Sequence, residues 1–519
     1  MAAALSLLLI GCKGEPAPTG AALWRRQVLY LLITDRFQNG KTSNDGQGRS
    51  DCLDPTDPYL YHGGDLEGVR QRLGYLQELG VTTLWTSPLY KQVGPHTFAS
   101  VECSYHGYFP DFANPNDGAI EPKLGDEADL DLLLGDLAKK DMRLLFDMIV
   151  NHAGFDARVT QTNPDWFHPY PACEQGNLET MCLFGLPDFA QEKPEVATYL
   201  TDLSARWVRR FPIGGIRLDT TRLVPIDYLS QNWLPAMRQA RDPMFVLGEV
   251  YDDQSIDTYN TYLSAGFDSV FNFVLQRSFV SSFGQGQSVD AVATSVEKTL
   301  STLGLERALL VVNFLDNHDL TRLMSNGGSD TPDQQAMRYR LGLTALMTLP
   351  GTPQLYYGDE VGALGAYPQN RADMPAWAFA AGSRGGSHPG FLPGADATFQ
   401  HTTRLVSLRR SHPALFEGYY SELWRQNGGS NPNVYAFFRG SGKDRIVVVI
   451  NNSLAASGRL AIPLQINPVL KPEDKAALGD GARFVELLGS GAPASVSVAN
   501  GSFVIDLPAL AAGVYQLGR

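Results

Sequence analysis

Apolar residues in this chain fall into short runs separated by longer amphipathic or polar stretches. Eight of the runs read as fully buried strands: QVLYLLITD (27–35), VTTLWTSP (81–88), MRLLFDMIVNH (142–152), GGIRLD (214–219), MFVLGEV (244–250), SVFNF (269–273), LLVVNFLDNHD (309–319) and PQLYYGDE (353–360). Helical spacing appears between them, as in Leu66, Val69, Leu73, Leu76 and Leu79, a stripe that stops at Gly80. Strands alternating with helices make parallel βα units, and eight units predict a closed (β/α)8 barrel. A doubly wound open sheet is the rival. Polar, reactive-looking residues at the end of nearly every run favour the barrel, whose strands end at a common mouth.

Two stretches break the alternation. After IVNH the chain runs through Asn163-Pro164, Pro169 and Pro171 before a helical pattern near 194–210, a connection of the length that usually carries function. Beyond about residue 420 the pattern becomes alternating strands (NVYAFFRG, DRIVVVINN, SVSVANGSFVIDL) punctuated by Gly, Asn and Pro, which predicts a separate antiparallel β-sandwich. The boundaries read as a leader and spacer over 1–20, a first barrel part over 21–150, an insert after the third strand over 151–190, a second barrel part over 191–420 and the β-domain over 421–519. No internal repeat or low-complexity tract is visible.

At 519 residues the chain exceeds the roughly 250–300 residues of a single core, in keeping with several domains. Charged residues at 19% and hydrophobic ones at 44% describe a globular protein. A formal charge of −13 argues against nucleic acid or an anionic membrane as partner, because both need a basic face. A neutral ligand suits the balance, and a monomer is expected.

The apolar run Leu5–Ile10 is too short to span a bilayer. Ending at Gly11-Cys12 and followed by a Pro-containing spacer, it resembles the end of a bacterial lipoprotein signal, although the basic n-region is missing; an ordinary signal remnant is the alternative. Either reading predicts export, with Cys12 as a lipid-anchor residue in the first. Cys52, Cys103, Cys173 and Cys182 then remain, suited to two disulfides or to free buried thiols. Cys173 with Cys182 is the preferred pair because both lie in one short irregular segment, which leaves Cys52 with Cys103. No Cys/His spacing matches a zinc site.

Chemistry-bearing residues gather at the ends of the predicted strands. In GGIRLDTTRLV, Arg217 and Asp219 leave the strand on the same face, either as a structural ion pair or as part of a catalytic group. Asp147, Glu249 and Asp319, with His152 and His318, occupy similar positions on other strands. Any one alone reads as a cap or an ion pair. Together at one barrel mouth they would supply what glycosidic cleavage needs, an ionised carboxylate and a second carboxyl kept protonated. Arg217 would hold Asp219 charged, and burial among carboxylates would raise Glu249.

DMIVNH, GGIRLDTTRL, GEV and FLDNHD, in that order, resemble the four signature regions of the α-amylase family, glycoside hydrolase family 13; YHGY (105–108), GLPDF (185–189), GTPQLYYGDE (351–360) and NRADMPAW (370–377) are similar to further regions. The resemblance runs from about Tyr30 to Arg410 and on into the β-domain. It implies a TIM-barrel catalytic domain with Asp219 as nucleophile, Glu249 as general acid/base and Asp319 as the carboxylate that stabilises the distorted sugar. It implies sugar contacts from Arg217, His152 and His318, a ring stacked on Tyr108, and Asp147 bracing Arg217. The implied cofactor is Ca2+, held by Asn151 and Asp188, with Leu223 supplying a backbone oxygen where the family often has a histidine; Asn151 as a helix cap is the alternative. DRFQNGKTSNDG with YHGGD resembles a second calcium loop of cyclodextrin glucanotransferases through Asn39, Asn44, Asp45, Gly63 and Asp65, with Lys41 in place of an oxygen-bearing residue; a simple Asn/Asp/Gly turn is the alternative.

The resemblance fixes the bond better than the product. Phe184 falls where cyclodextrin-forming relatives carry a central aromatic, and Arg371 where a distal glucose is gripped. Against transfer, Arg222 and Leu223 replace the usual Lys-His of the acceptor side, and the sequence carries one β-domain where typical cyclodextrin glucanotransferases continue into further domains. The expectation is a retaining α-1,4-glucan hydrolase acting on starch, maltodextrin or cyclodextrin. A transglycosylase is the alternative, and a non-catalytic glucan-binding protein the third reading, disfavoured by the complete acid triplet.

Overall fold

The computed structural model describes residues 20–47, 50–97, 100–112, 119–425, 433–464 and 470–518. All eight predicted strands form. They are β1 (Leu29–Leu32), β2 (Thr83–Thr86), β3 (Arg143–Met148), β4 (Gly215–Leu218), β5 (Phe245–Gly248), β6 (Ser269–Val270), β7 (Val312–Phe314) and β8 (Thr352–Tyr356). Each pairs in parallel with its sequence neighbour from β1 to β6, β8 pairs with both β1 and β7, and a parallel bridge between Phe271 and Val312 closes the ring. Apart from Arg143 at the start of β3, every strand residue is buried, the pattern of a sheet covered by side-chain layers inside and helices outside. The elements are shorter than the apolar runs, because the runs continue into the buried turns at the mouth.

The bottom of the barrel explains the paired glycines of GGIRLD. Trp24, on the short helix Gly20–Arg25, stacks on Phe245 at 3.8 Å, and a Cβ on Gly215 would come within 2.9 Å of the Trp24 ring and 3.0 Å of the Phe245 carbonyl. Only glycine lets the plug seat. The stripe from Leu66 to Leu79 is carried by two helices, Leu66–Gln71 and Leu73–Leu79, separated at Arg72, whose guanidinium donates to Gln38. Periodicity survives the break because the same residues still face the core.

The insert after β3 is built of short turns and the helix Arg158–Thr162, then returns to the long helix Pro194–Arg210. Disulfides join Cys173 to Cys182 within it and Cys52 to Cys103 between the loops after β1 and β2, as the cysteine spacing predicts. Cys12 lies outside the described residues. Among the described residues the C-terminal domain has eight antiparallel strands: β9 (Tyr419–Arg425), β10 (Val434–Ser441), β11 (Asp444–Asn451), β12 (Leu460–Pro463), β13 (Arg483–Glu486), β14 (Ser495–Ala499), β15 (Ser502–Ile505) and β16 (Ala511–Leu517). They fold over a core of their own that includes Phe438, Val447, Ile462, Phe484 and Phe503. No helix among the described residues is long and apolar enough to cross a membrane.

Candidate active site

Strand register assembles the site. Asp147 on β3 lies opposite Arg217 on β4, so both enter the barrel interior at one level, and Asp219 and Glu249 follow directly after β4 and β5. Arg217 is buried and grips three carboxyls: Nη1 donates to Asp147 Oδ1 at 2.9 Å and to Asp219 Oδ1 at 2.6 Å, while Nη2 lies 2.8 Å from Glu249 Oε1. A planar fork suits this geometry, and a point charge does not. Asp147 braces the fork, its other oxygen accepting from Trp85 Nε1 at 2.9 Å and the Tyr108 hydroxyl at 2.8 Å. Burial pushes Asp147 up to about 7 against the pull of Arg217.

The two central carboxyls have different surroundings. Asp219 accepts from Arg217 and from the Thr220 hydroxyl at 3.1 Å, which fixes its orientation. Burial, reinforced by the charges of Asp219 and Asp319, pushes Glu249 up to about 8 despite Arg217. Its Oε2 accepts from the Thr220 backbone N–H at 2.8 Å. That N–H is aimed by a left-handed backbone at Thr220 (φ 44°), a conformation uncommon for threonine and of a kind that persists where the surroundings enforce it. Thr220 and Trp85 are site residues that the strand-end carboxylate pattern does not reveal; the first serves Asp219 through its hydroxyl and Glu249 through its backbone N–H.

Asp319 closes the group from the loop after β7. Its side chain is 47% exposed, 3.0 Å from His318 Nε2 and 3.0 Å from Arg371 Nη2, and it holds a proton less readily than an ordinary aspartate: desolvation works against this, but the neighbouring His318, Arg371 and Arg217 outweigh it. Burial pushes His318 down to about 3. The Tyr108 ring lies parallel to the His318 ring at 5.1 Å, joining the Arg217 and Asp319 halves, and His152 Nε2 sits 3.1 Å from the Tyr108 carbonyl. Arg371, expected at a distal sugar, adjoins the catalytic group, donating to the His318 carbonyl at 2.7 Å as well as to Asp319. Arg222 donates to the Tyr251 carbonyl and pairs with Asp252 on the side of Glu249. Phe184 stands apart at the insert's surface, 83% exposed and with positive φ.

The expected metal residues also meet. Asn151, at the end of β3, is no helix cap: its carbonyl accepts from Phe189 N, and the adjacent His152 bridges to Asp188 of the insert. Asn151 Oδ1 and Asp188 Oδ1 are both buried with no partner, as oxygens intended for a hard cation would be. Asp188 Oδ2 is taken by His168 Nδ1 at 2.6 Å, a residue not anticipated from sequence. Leu223 lies in the turn after β4, which packs on the Leu178–Thr180 turn of the insert. In the first loop Asn39 Nδ2 donates to Asp45, Asn44 Nδ2 to Asp65, and a Cβ on Gly63 would strike Asn39 at 2.7 Å; Asn39 Oδ1 and Asn44 Oδ1 are left unpartnered. Lys41 Nζ turns away to Asp129. Both places therefore fit an oxygen-seeking ion, although no cluster of three or more His, Cys, Asp or Glu side chains able to hold a metal occurs among the described residues.

The family defined by the alpha-amylase catalytic domain matches residues 31–384, which carry every carboxylate and arginine of the site. The chain belongs to the alpha-amylase family. Among similar proteins of known name, a Klebsiella oxytoca cyclomaltodextrin glucanotransferase is 28% identical, with 86% of this chain and 74% of the relative covered. A Paenibacillus polymyxa beta/alpha-amylase is 28% identical over 83% of this chain, which spans only 34% of that protein's length. Among solved structures, an Anoxybacillus α-amylase superposes with a TM-score of 0.78 at 28% identity, covering 95% of this chain and 98% of the other. CldA, named as a cyclomaltodextrin glucanotransferase with a three-domain ABC distribution, shares the fold at 23% identity and a TM-score of 0.77, covering 95% of this chain and 99% of its own.

Proposed function

We propose that the protein cleaves α-1,4-glucosidic bonds with retention of anomeric configuration and passes the glycosyl group chiefly to water. The observation that carries the reading is one buried guanidinium, Arg217, gripping Asp219 and Glu249, two carboxyls whose surroundings differ. A shared fork keeps them close, as suits the roughly 5–5.5 Å separation of retaining enzymes rather than the wider inverting gap. Glu249, protonated at neutral pH, gives its proton to the departing glycosidic oxygen as that bond breaks and Asp219 bonds to the anomeric carbon. Glu249, now a carboxylate, then takes a proton from water, whose oxygen bonds to the same carbon as Asp219 leaves. Asp319, held by Arg371 and His318, and His152 contact the sugar around the scissile bond.

Transfer to a sugar hydroxyl is the second reading, supported by Phe184, an exposed aromatic on the insert at the position where cyclodextrin-forming relatives carry a central aromatic, and by the named glucanotransferase relative. Ca2+ is proposed as a structural ion, with Asn151 and Asp188 tying β3 to the insert and Asn39, Asn44, Asp45, Gly63 and Asp65 forming the second place; it would supply cross-linking charge and no catalytic step. Export is proposed as well, and the two disulfides support it.

Product analysis of soluble starch, maltoheptaose and β-cyclodextrin with wild type and Glu249→Gln tests the reading. Short linear maltooligosaccharides from wild type and none from the variant are expected. Cyclic or elongated glucans would move the protein to the transferase side, and unchanged substrates would overturn the α-glucan assignment.

A further inference from the structure

We propose that Asp316 and Asp359 hold one proton between them at the base of the turn that carries His318 and Asp319, and that this acid pair, with Arg322, positions Asp319 for the reaction. What Asp319 does rests on the α-glucan reading above. Asp316 follows β7, and its Oδ2 accepts from Leu323 N at 2.8 Å, so one carboxyl closes the turn 316–323. Asp359 follows β8, and its Oδ2 accepts from Tyr356 N at 2.8 Å. Arg322 joins the two: Nη1 donates to Asp359 Oδ1 at 3.2 Å and stands 3.5 Å from Asp316 Oδ1, while Nη2 donates to the Tyr357 carbonyl at 2.7 Å. All three residues are at most 2% exposed.

Charge separates this group from an ordinary ion pair. One guanidinium neutralises one carboxyl, and a second carboxylate at the same nitrogen would be a buried charge without a partner. Asp316 Oδ1 is buried and receives no well-aligned N–H or O–H, yet the two carboxyls meet side chain to side chain. A proton on Asp359 supplies the missing donor and leaves the three groups neutral together. Burial, reinforced by the charge of Asp316, holds the Asp359 carboxyl well above the usual range against the pull of Arg322. The other titratable groups around it do not relieve the pair. Tyr339 donates to the Asp359 carbonyl, Tyr356 and Tyr357 lie against Arg322 and are kept neutral by burial, and Glu360 is taken by the Tyr30 and Tyr75 hydroxyls.

Asp319 lies in the middle of the closed turn. Its N–H donates to Asn317 Oδ1 at 2.9 Å, and the His318 carbonyl accepts from Asn370 Nδ2 at 3.0 Å. The acid pair fixes the two ends of the same turn, through Asp316 at one and Arg322 with Leu323 at the other, and ties it to the turn after β8. Arg322 N adds a bond to the Gly365 carbonyl at 2.9 Å. Asp319 is thus aimed before substrate arrives, and a loosened turn loses stabilisation of the distorted sugar more than it loses binding of the relaxed one.

The test measures kcat and KM on maltoheptaose, hydrogen exchange over residues 316–323 and the infrared C=O stretch of protonated carboxyls at neutral pH, with each protein checked by thermal unfolding. The proteins are wild type, Asp316→Asn, Asp359→Asn, the double Asn variant and Asp316→Ala. Asparagine copies a protonated aspartic acid in shape and in carrying a donor, so either single Asn variant is expected to keep kcat within about threefold and to keep exchange slow, and Asp359→Asn to lose a carboxylic acid band. The double Asn variant strands Arg322, and Asp316→Ala opens the turn; both are expected to lower kcat about tenfold or more with KM within about twofold, and to speed exchange. Single Asn variants that fall as far as the double, or an infrared spectrum unchanged by Asp359→Asn, overturn the shared proton. Wild-type kcat and exchange in the double variant and Asp316→Ala overturn the positioning role. If wild type does not cleave maltoheptaose the catalytic reading fails, and the band and the exchange rates alone decide the acid pair: an unchanged band or unchanged exchange sinks it.

Discussion

Arg217 concentrates the site's electrostatics in one side chain. Its two terminal nitrogens satisfy Asp147, Asp219 and Glu249 at once, so Arg217→Lys keeps the charge and loses the geometry. Activity measured as kcat/KM on maltoheptaose is expected to fall by at least about a hundredfold, with a lower thermal midpoint because a carboxyl buried in the barrel loses its partner. A fall of less than about tenfold would show that a point charge suffices. Glu249 makes a separate prediction. As a carboxyl raised from an ordinary value near 4.5 to about 8, it carries its proton through neutrality and loses it above. The kcat/KM profile should therefore have its basic limb near pH 8, falling with further rise in pH, and a limb below pH 6 would contradict the assignment of Glu249 as the acid. At this scale the sequence was informative where side chains build the site, as with Asp147, Arg217 and Asp319. It was silent on Thr220, whose backbone N–H reaches Glu249 through an unusual torsion while its hydroxyl donates to Asp219, and on His168, which reaches Asp188 only after the insert has folded.

Elements were legible in proportion to how local their causes are. The apolar runs mark β1 to β8 because parallel strands covered on both faces need continuous apolar character, and β6 is recognisable although only Ser269–Val270 pair as a strand. The break at Arg72 was not legible, since two short helices presenting one face preserve the period of one. The disulfides followed from cysteine spacing, and their loops differ in consequence. Cys52 and Cys103 are 51 residues apart and Cys173 and Cys182 only 9, so on loop-closure entropy the first contributes about 4 kcal/mol and the second about 2.5–3. Replacing the first pair by serine should lower the thermal midpoint more than replacing the second. Hydrogen exchange should then show loosening around Tyr59 in the first variant and within the insert alone in the second. The reverse order of midpoints would mean that the insert, not the loop after β1, limits the stability of the mouth.

The whole molecule separates chemistry from stability along the barrel axis. The mouth holds the carboxylates. The bottom holds the Trp24 plug and two fully buried arginines, Arg409 and Arg439, which donate to backbone carbonyls: Arg409 to Met347, Leu415 and Gly351, Arg439 to Thr348 at 2.7 Å and Gly418 at 2.9 Å. Met347 and Thr348 end the helix Pro332–Thr348, whose last carbonyls present partial negative charge, and Arg439 comes from β10 of the C-terminal domain. Burial nevertheless pushes both guanidinium groups down to about 9, a measure of how far from water they sit. Domain organisation was readable as a change of pattern near residue 420, but not this seam, because its partners are main-chain oxygens that any residue supplies. Arg439→Met fills similar space and strands two carbonyls, at roughly 1–3 kcal/mol each. The thermal midpoint should drop by several degrees and limited proteolysis should cleave between barrel and β-domain sooner, whereas the exposed control Arg483→Met should change neither. Because Arg439 lies at the end of the barrel opposite Asp219 and Glu249, kcat/KM well below the midpoint should stay within about twofold of wild type; a large loss there would mean that the C-terminal domain shapes the mouth and does not merely seal the base.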